Sequence, residues 1–324
     1  MNPTHPISDA FFNDLREGCL QPLLAAIKSD DTLLLGLRGS YVSIYYRGGE
    51  LLTVRPAAHG YRARFNKDYD REGFLPQRLQ PYGGEVLLEK PISSSAGAQA
   101  LVNVLHELKR LMDVHPKIQS AHEREFQQLI ARENNRTRAA GETPYFITDI
   151  EHANGDARFD MLGVRWLASD RKHSDRLLPV LVEVKYGAAA LEGPSGLVAH
   201  LEDLRKRLSD AAFLQALHAN IAGQFNQLAE LGLLRFNRSE AIESFTVNEK
   251  AFERLQVVLV LAGYNPRSSK LGKVLEEIKA FASDDMPFEL CFFQATFAGY
   301  AMHDCAMLSL QEFRTLVAAL GAKH

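Results

Sequence analysis

The segment LLPVLVEVKYG, residues 177–187, decides how the rest of the chain is interpreted. In it, valines alternate with Leu181, Glu183 and Lys185. Because successive side chains of a strand point to opposite faces, the alternation predicts a strand that carries Glu183 and Lys185 on one face and only apolar side chains on the other. Charged groups on such a strand lose hydration, which is costly unless they pair or bind a charged ligand. The two residues therefore indicate a functional site.

The preceding strand-like segment, ARFDMLGV, adds a second carboxylate. The same period of two places Arg158, Asp160 and Leu162 on one face. Asp160 is therefore expected to point at the same site from the neighbouring strand.

Further upstream, HEREFQQLI lies within a predicted helix from Lys117 to about Asn134. Helical spacing puts Glu123 on one stripe with Phe126 and Ile130, whereas Glu125 falls on another. Glu123 is therefore the glutamate predicted to face inward.

These three elements together resemble the PD-(D/E)xK nuclease superfamily, which has the restriction-endonuclease-like fold. The resemblance is carried by RFDMLGV with Asp160, by VEVK with Glu183 and Lys185, and by the glutamate of HEREFQQLI, and it spans about residues 117–300. Arg158 and Phe159 stand where the superfamily has its name-giving proline, a variation that it tolerates. The resemblance implies a core of one mixed sheet flanked by helices.

The resemblance also implies an activity, the metal-dependent hydrolysis of phosphodiester bonds in nucleic acid, with DNA favoured over RNA. The implied catalytic residues are Glu123, Asp160, Glu183 and Lys185. Asp160 and Glu183, with the carbonyl of Val184 between them, are hard oxygen ligands that suit Mg²⁺ or Mn²⁺. Defence against foreign DNA, or repair, is expected from the superfamily alone.

Candidate substrate-binding residues lie on either side of these motifs. In the superfamily a glutamine on the helix after E-x-K often lines the site, and Gln224 and Gln227 are both candidates here. Arg132, Arg136 and Arg138, at and after the end of the Glu123 helix, form a cluster that could clamp a phosphate, although an exposed basic turn is the commoner outcome.

The pattern along the chain predicts a mixed α/β (α+β) protein with two domains. A smaller β-rich N-terminal domain of unknown role is expected over residues 1–110, and the nuclease-like domain over 111–324. The first opens with a helix from Asp9 to Ile27 and includes a hairpin at Gly48-Gly49. Its basic and aromatic stretch from Tyr61 to Pro81 fits a nucleic-acid surface or, as the plainer interpretation, an irregular solvated segment with anchoring aromatics.

In the second domain the sequence predicts a strand meander, a long helix and alternating further elements. The predicted strands are YFITDIEHA, ARFDMLGVRWLA, LLPVLVEVKYG, LQVVLVLAGY and ELCFFQATF, and the predicted helices are Leu197–Leu234, Lys270–Phe281 and Leu310–Leu320.

Composition limits the function classes. A net charge of -3 over 324 residues and a pI near 6.4 argue against nonspecific coating of nucleic acid, so any such contact must come from a local patch. Three cysteines without a CxxC pair predict a reducing, cytoplasmic protein. No membrane segment is expected, whereas nucleic acid, a second copy, or a protein partner bound through the N-terminal domain are expected partners.

Other motifs are weaker, and rival functions stay open. GYNPRSSK lacks the second glycine of a phosphate loop and its lysine is displaced. His200, His218 and His303 are interpreted as ordinary surface or core histidines. The main rival function is an inactive nuclease fold kept as a binding or scaffold protein, and a further one is hydrolysis of a phosphodiester such as a nucleotide.

Overall fold

The computed structural model describes residues 6–115, 121–154, 157–171, 173, 176–193, 196–236, 252, 254–297 and 299–322. The chain divides into two compact units. One comprises residues up to 132 together with 227–234, and the other comprises 133–226 and the chain from 235 onward. This division differs from the sequence-based boundary at 110/111 in giving 111–132 and 227–234 to the first unit.

The first unit is built on a four-stranded antiparallel meander, as the β-rich pattern predicts. Its strands lie side by side in chain order, β1-β2-β3-β4. Its elements are α1 Asp9–Arg16, α2 Gln21–Ser29, β1 Leu33–Leu37, β2 Val42–Tyr46, β3 Gly49–Ala57, β4 Gly60–Phe65, α3 Leu75–Leu79, α4 Val86–Glu89, α5 Ser95–Asp113 and the first part of α6 His122–Asn135.

The single helix predicted from Asp9 to Ile27 is wrong, because the chain breaks it into α1 and α2. Pro22 lies in the first turn of α2, where its missing N–H costs nothing. Inside a continuous helix its ring would clash with the preceding turn. The proline was therefore the readable sign of the break.

The hairpin between β2 and β3 is confirmed, with its turn one residue earlier than predicted. Tyr46 pairs with Gly49, so Arg47 and Gly48 are the two turn residues. Both have positive φ, 50° and 71°, as a type I′ turn requires. A Cβ on Gly48 would collide with the backbone of Arg124, so only glycine fits there.

The segment from Tyr61 to Phe65 is an ordered edge strand, β4, so the irregular interpretation is wrong for these residues. Tyr61 and Phe65 are buried, which prevents their rings from stacking on nucleic-acid bases. Arg62 and Arg64 alternate with them and are exposed.

The second unit contains a six-stranded mixed sheet in the order β10-β9-β8-β7-β6-β5. Strands β5, β6 and β7 form an antiparallel meander, β7, β8 and β9 run parallel, and β10 closes the edge antiparallel to β9. Its elements are β5 Tyr145–Asn154, β6 Ala157–Arg165, β7 Leu178–Tyr186, α7 Leu197–Leu208, α8 Ala211–Glu230, β8 Leu255–Ala262, α9 Ser269–Glu277, β9 Phe288–Phe293, β10 Met307–Leu308 and α10 Leu310–Ala322. The mixed sheet flanked by helices is the fold class that the sequence predicts.

The long helix predicted over Leu197–Leu234 is two helices, α7 and α8. Asp210 causes the break, because its carboxylate accepts hydrogen bonds from the amides of Ala212 (2.9 Å) and Phe213 (3.2 Å). These are first-turn amides that have no partner inside the helix.

The other predicted elements are confirmed within a few residues at each end. The exception is the helix predicted from Lys117, since 116–120 lie outside the described residues and α6 begins at His122. Among the residues that the structure describes, no helix has the length and apolarity needed to cross a bilayer.

Aromatic packing fixes α8 against the sheet of the second unit. Phe225 of α8 contacts Phe146 of β5 and Trp166, with ring centroids 6.0 and 6.1 Å apart. Trp166 and Phe146 are completely buried. These contacts hold α8 against β5 and against the residue that follows β6.

Candidate active site

Strand β7 carries Glu183 and Lys185 in the interior of the second unit. Their residues are only 5% and 4% exposed, and Lys185 Nζ donates a hydrogen bond of 2.7 Å to Glu183 Oε1. The two side chains lie on one face, as the alternation predicts. On β8 the residues paired with Glu183 and Lys185 are the apolar Leu259 and Leu261, so on this side the pair lies in a low-dielectric layer.

Asp160 reaches this pair from β6. The paired stretch of β6 and β7 ends at Met161 and Val182, so Asp160 is one residue past it. Its Oδ2 accepts a hydrogen bond of 2.8 Å from the amide of Val184, the residue between Glu183 and Lys185. Asp160 therefore contacts the backbone of the E-x-K segment, and the convergence of its carboxylate with Glu183 on a metal-sized site stays a prediction.

His200 also contacts Glu183, although no sequence pattern assigns it a role. It lies in the first turn of α7, with its Nδ1 2.5 Å from Glu183 Oε1 and 3.4 Å from Lys185 Nζ. Its side chain is 35% exposed. The interpretation of His200 as an ordinary histidine is therefore wrong, and the site opens toward solvent on the His200 side.

Glu183 is held in its charged form by these partners. Burial alone would raise the pKa of Glu183, but the hydrogen bond from His200 and the charge of Lys185 outweigh it. The pKa consequently lies below its ordinary value. Glu183 is an ionised carboxylate in an interior site.

The chemistry of the donor set fits a hard divalent cation. Asp160 and Glu183 supply two carboxylates beside one peptide, and Mg²⁺ commonly takes only one or two protein carboxylates while it keeps several waters. Within the described ranges, no group of three or more His, Cys, Asp and Glu side chains is arranged to hold a metal ion. The fit therefore rests on the two carboxylates, and the role predicted for the Val184 carbonyl stays a prediction.

Glu123 lies on α6, in the first unit, and is half-buried. Gln127 and Ile130 on its stripe are buried, but Gln128 on the stripe of Glu125 is buried too, so burial does not separate the two stripes. Glu125, on the other stripe, is engaged by Arg47 at 2.6 Å. The approach of Glu123 to Asp160 and Glu183 stays a prediction.

The side chains of both glutamine candidates form hydrogen bonds with other parts of the protein. Gln224 is completely buried, and its Nε2 donates to Asp149 Oδ2 at 3.0 Å. Gln227 belongs to the first unit and bonds both the amide and the carbonyl of Ile7, at 2.9 and 2.7 Å. A substrate-binding role for Gln224 stays a prediction.

The arginine pair lies just past α6. Arg136 is half-buried in the turn that follows the helix, and Arg138 is exposed at the start of the 3₁₀ turn Arg138–Gly141. This is the exposed basic turn that the sequence offered as the commoner outcome for Arg138. Phosphate binding by either residue stays a prediction.

The site was compared with known proteins once this geometry was established. The chain matches no protein-family model, no curated protein and no solved structure.

Proposed function

We propose that the protein is a metal-dependent nuclease that hydrolyses phosphodiester bonds of nucleic acid, with DNA favoured over RNA. The observation that carries the proposal is the interior Glu183–Lys185 pair, with Asp160 bound to the amide between them. Burying two charges costs free energy of desolvation, and a well-packed apolar pair in the same place would be at least as stable. The charged pair is therefore better explained by a function than by stability. Two carboxylates that could hold a metal ion, beside an ammonium group, suit phosphodiester hydrolysis.

Each residue has a task that follows from its position. Asp160 and Glu183 would hold the cation, which when bound would stabilise charge developing on the phosphate and lower the pKa of a water. Lys185 is fixed by Glu183 and presents its ammonium beside the two carboxylates, where it can orient a water or offset phosphate charge. The superfamily resemblance supports this assignment and adds Glu123.

His200 is a positioning residue in this scheme. Its imidazole lies against the Glu183 carboxylate and fixes the direction of the oxygens that would face the cation. Partners of this kind are worth about 10–100-fold in metal affinity or activity.

The proposal places the protein in a reducing, cytoplasmic compartment, where it acts in defence or repair. Its three cysteines are all free thiols, which fits such a compartment.

The test is cleavage by the purified full-length chain. Circular DNA, single-stranded DNA and RNA are incubated with Mg²⁺ or Mn²⁺ and, separately, with a chelator. We expect metal-dependent cleavage by the wild type and a loss on the order of 100-fold or more for Asp160→Asn, since the anionic ligand is removed while the shape is kept.

Asp285→Asn is the matched control, because it makes the same chemical change at an exposed position away from β6 and β7. It should cleave like the wild type. If the wild type cleaves none of the substrates and its melting temperature does not respond to either metal, the scaffold function replaces the nuclease.

A further inference from the structure

Three arginines share one exposed face of the first unit's sheet. Arg55 on β3 and Arg62 on β4 are directly opposite each other in the strand pairing, and Arg64 lies two residues farther along β4, opposite Thr53. Opposite Cβ atoms are about 4.5–5.5 Å apart, and residues two apart on a strand about 6.7 Å. We call Arg55, Arg62 and Arg64 the arginine face.

The arginine face differs from the other cations of the first unit. Several of those are paired with carboxylates, as in the salt bridges of Arg16, Arg47, Arg78, Lys67 and Lys109. Among the described residues, none of the three arginines of the face forms a salt bridge, although all three are exposed. Like charges directly opposite one another on a sheet are unfavourable, so the arrangement calls for an anionic partner.

A groove beside the arginine face indicates the size of that partner. An open groove of about 760 Å³ runs along β4, and its lining includes three cations and one carboxylate, namely Arg62, Arg64, Lys67 and Asp68, beside the apolar Phe65 and Leu88. A single inorganic anion would fill little of it. The groove therefore suits an extended polyanion, whose successive charges meet successive arginines.

The side-chain chemistry favours nucleic acid among polyanions. The cations of the face are guanidinium groups, which match phosphate with two parallel hydrogen bonds and can also stack on bases. The guanidinium of Arg55 already lies over an aromatic ring, with its central carbon 3.8 Å from the ring centroid of Tyr41. This leaves a preordered planar cation at one end of the face.

We infer that the arginine face binds the phosphodiester backbone of nucleic acid, independently of the carboxylate site. The face gives an otherwise anionic protein the local cationic patch that backbone binding requires. It supplies no bond-breaking chemistry. Its role is to hold nucleic acid on the first unit.

The experiment measures binding by the full chain carrying Asp160→Asn, so that cleavage does not interfere. Fluorescence anisotropy with short labelled single-stranded DNA, RNA and duplex DNA is followed over a range of salt concentrations. The test variant adds Arg62→Gln and Arg64→Gln. The control variant instead adds Lys273→Gln and Lys279→Gln, which remove the same charge from exposed lysines of the second unit.

We expect the test variant to bind about tenfold or more weakly near 0.1 M salt. The slope of log affinity against log salt should fall by about 1.4–1.8, because each lost phosphate contact removes about 0.7–0.9. The control variant should stay within about twofold of its parent. The affinities for the three labelled ligands then show whether the face prefers single-stranded DNA, RNA or duplex DNA.

Equal losses in the test and control variants would overturn the inference, and so would absence of oligonucleotide binding by the parent. Binding of polyglutamate that depends on Arg62 and Arg64, without oligonucleotide binding, would assign the face to an acidic protein instead. The nuclease proposal is judged separately: metal-dependent cleavage by the wild type, together with oligonucleotide binding that Arg62→Gln and Arg64→Gln leave unchanged, refutes only the arginine face. Intact binding without any cleavage refutes only the nuclease.

Discussion

Glu183 is the residue on which the other site residues converge. Its Oε1 contacts both Lys185 Nζ and His200 Nδ1. Asp160 accepts a hydrogen bond from the amide of the next residue, Val184. An interior carboxylate with two basic partners is stable as an anion, but each partner depends on the others. Removing one should therefore cost far more than removing a matched pair.

Replacing Lys185 with methionine tests this dependence. The change keeps the length of the side chain and leaves Glu183 charged in the interior with only His200 beside it. We expect a loss of about 3 kcal/mol or more in the free energy of unfolding, measured by urea denaturation. The double variant with Glu183→Gln should lose clearly less than Lys185→Met alone, and strictly additive losses would show that the pair is not coupled.

Asp160→Asn should behave differently from Lys185→Met in the same measurement. The asparagine oxygen can still accept the Val184 amide, so the unfolding free energy should be unchanged or slightly higher, because one of two neighbouring anions is gone. Activity and stability then separate: both variants lose cleavage, and only one loses stability. A large loss of stability in Asp160→Asn would assign that residue a structural role.

At the residue scale, the sequence predicted what depends on local geometry. Glu183, Lys185 and Asp160 follow from the period of two in β6 and β7, which tertiary packing leaves intact. His200 could not be found this way, because α7 has to fold back over the sheet before its first turn meets β7. The hydrogen bond from Gln224 to the buried carboxylate of Asp149 also joins segments that are distant in the sequence, so the helical pattern does not contain it.

At the scale of elements, breaks in helices were the weak point. The joins α1–α2 and α7–α8 both lie inside long helix-forming patterns, and periodicity alone runs across them. Each join nevertheless has a local cause, Pro22 in one and Asp210 in the other. Strands were easier to predict, except β4, whose arginines masked its buried Tyr61, Ala63 and Phe65.

Asp210 gives the prediction for this scale. Its carboxylate caps α8, the helix whose Phe225 packs on the sheet. Asp210→Ala should lower the free energy of unfolding by about 1 kcal/mol, since two first-turn amides lose their acceptor. Asp210→Asn keeps a capping oxygen and should stay close to the wild type, so equal losses in the two variants would show that the cap does not stabilise α8.

At the scale of the whole molecule, charge is distributed unevenly. The net charge of the chain is -3, yet three arginines cluster on the sheet of the first unit. In the sheet of the second unit, Glu183 and Lys185 neutralise each other in the interior. Composition correctly excludes a generally basic protein, but it carries no information about where charges collect. Strand register supplies that information, and register depends on pairing between segments that are distant in the sequence.

A buried histidine outside the candidate site, His218, makes the free energy of unfolding depend on pH. His218 on α8 is 8% exposed and packs edge-on against Phe252, and within the described residues its Nε2 has no hydrogen-bond partner. Burial lowers the pKa of His218 below its ordinary value of 6.5. The unfolded chain therefore takes up a proton that the folded chain refuses.

The contribution of His218 to stability is complete above about pH 6.5 and is lost as pH falls toward the lowered pKa, with a slope of at most about 1.4 kcal/mol per pH unit. Urea unfolding between pH 7.5 and pH 5, followed in wild type and His218→Gln, should show a shallower acid loss in the variant because glutamine binds no proton. His59→Gln, at an exposed position, is the matched control and should keep the wild-type slope. Identical slopes in all three proteins would mean that His218 gains a solvated or hydrogen-bonded charge in the folded chain.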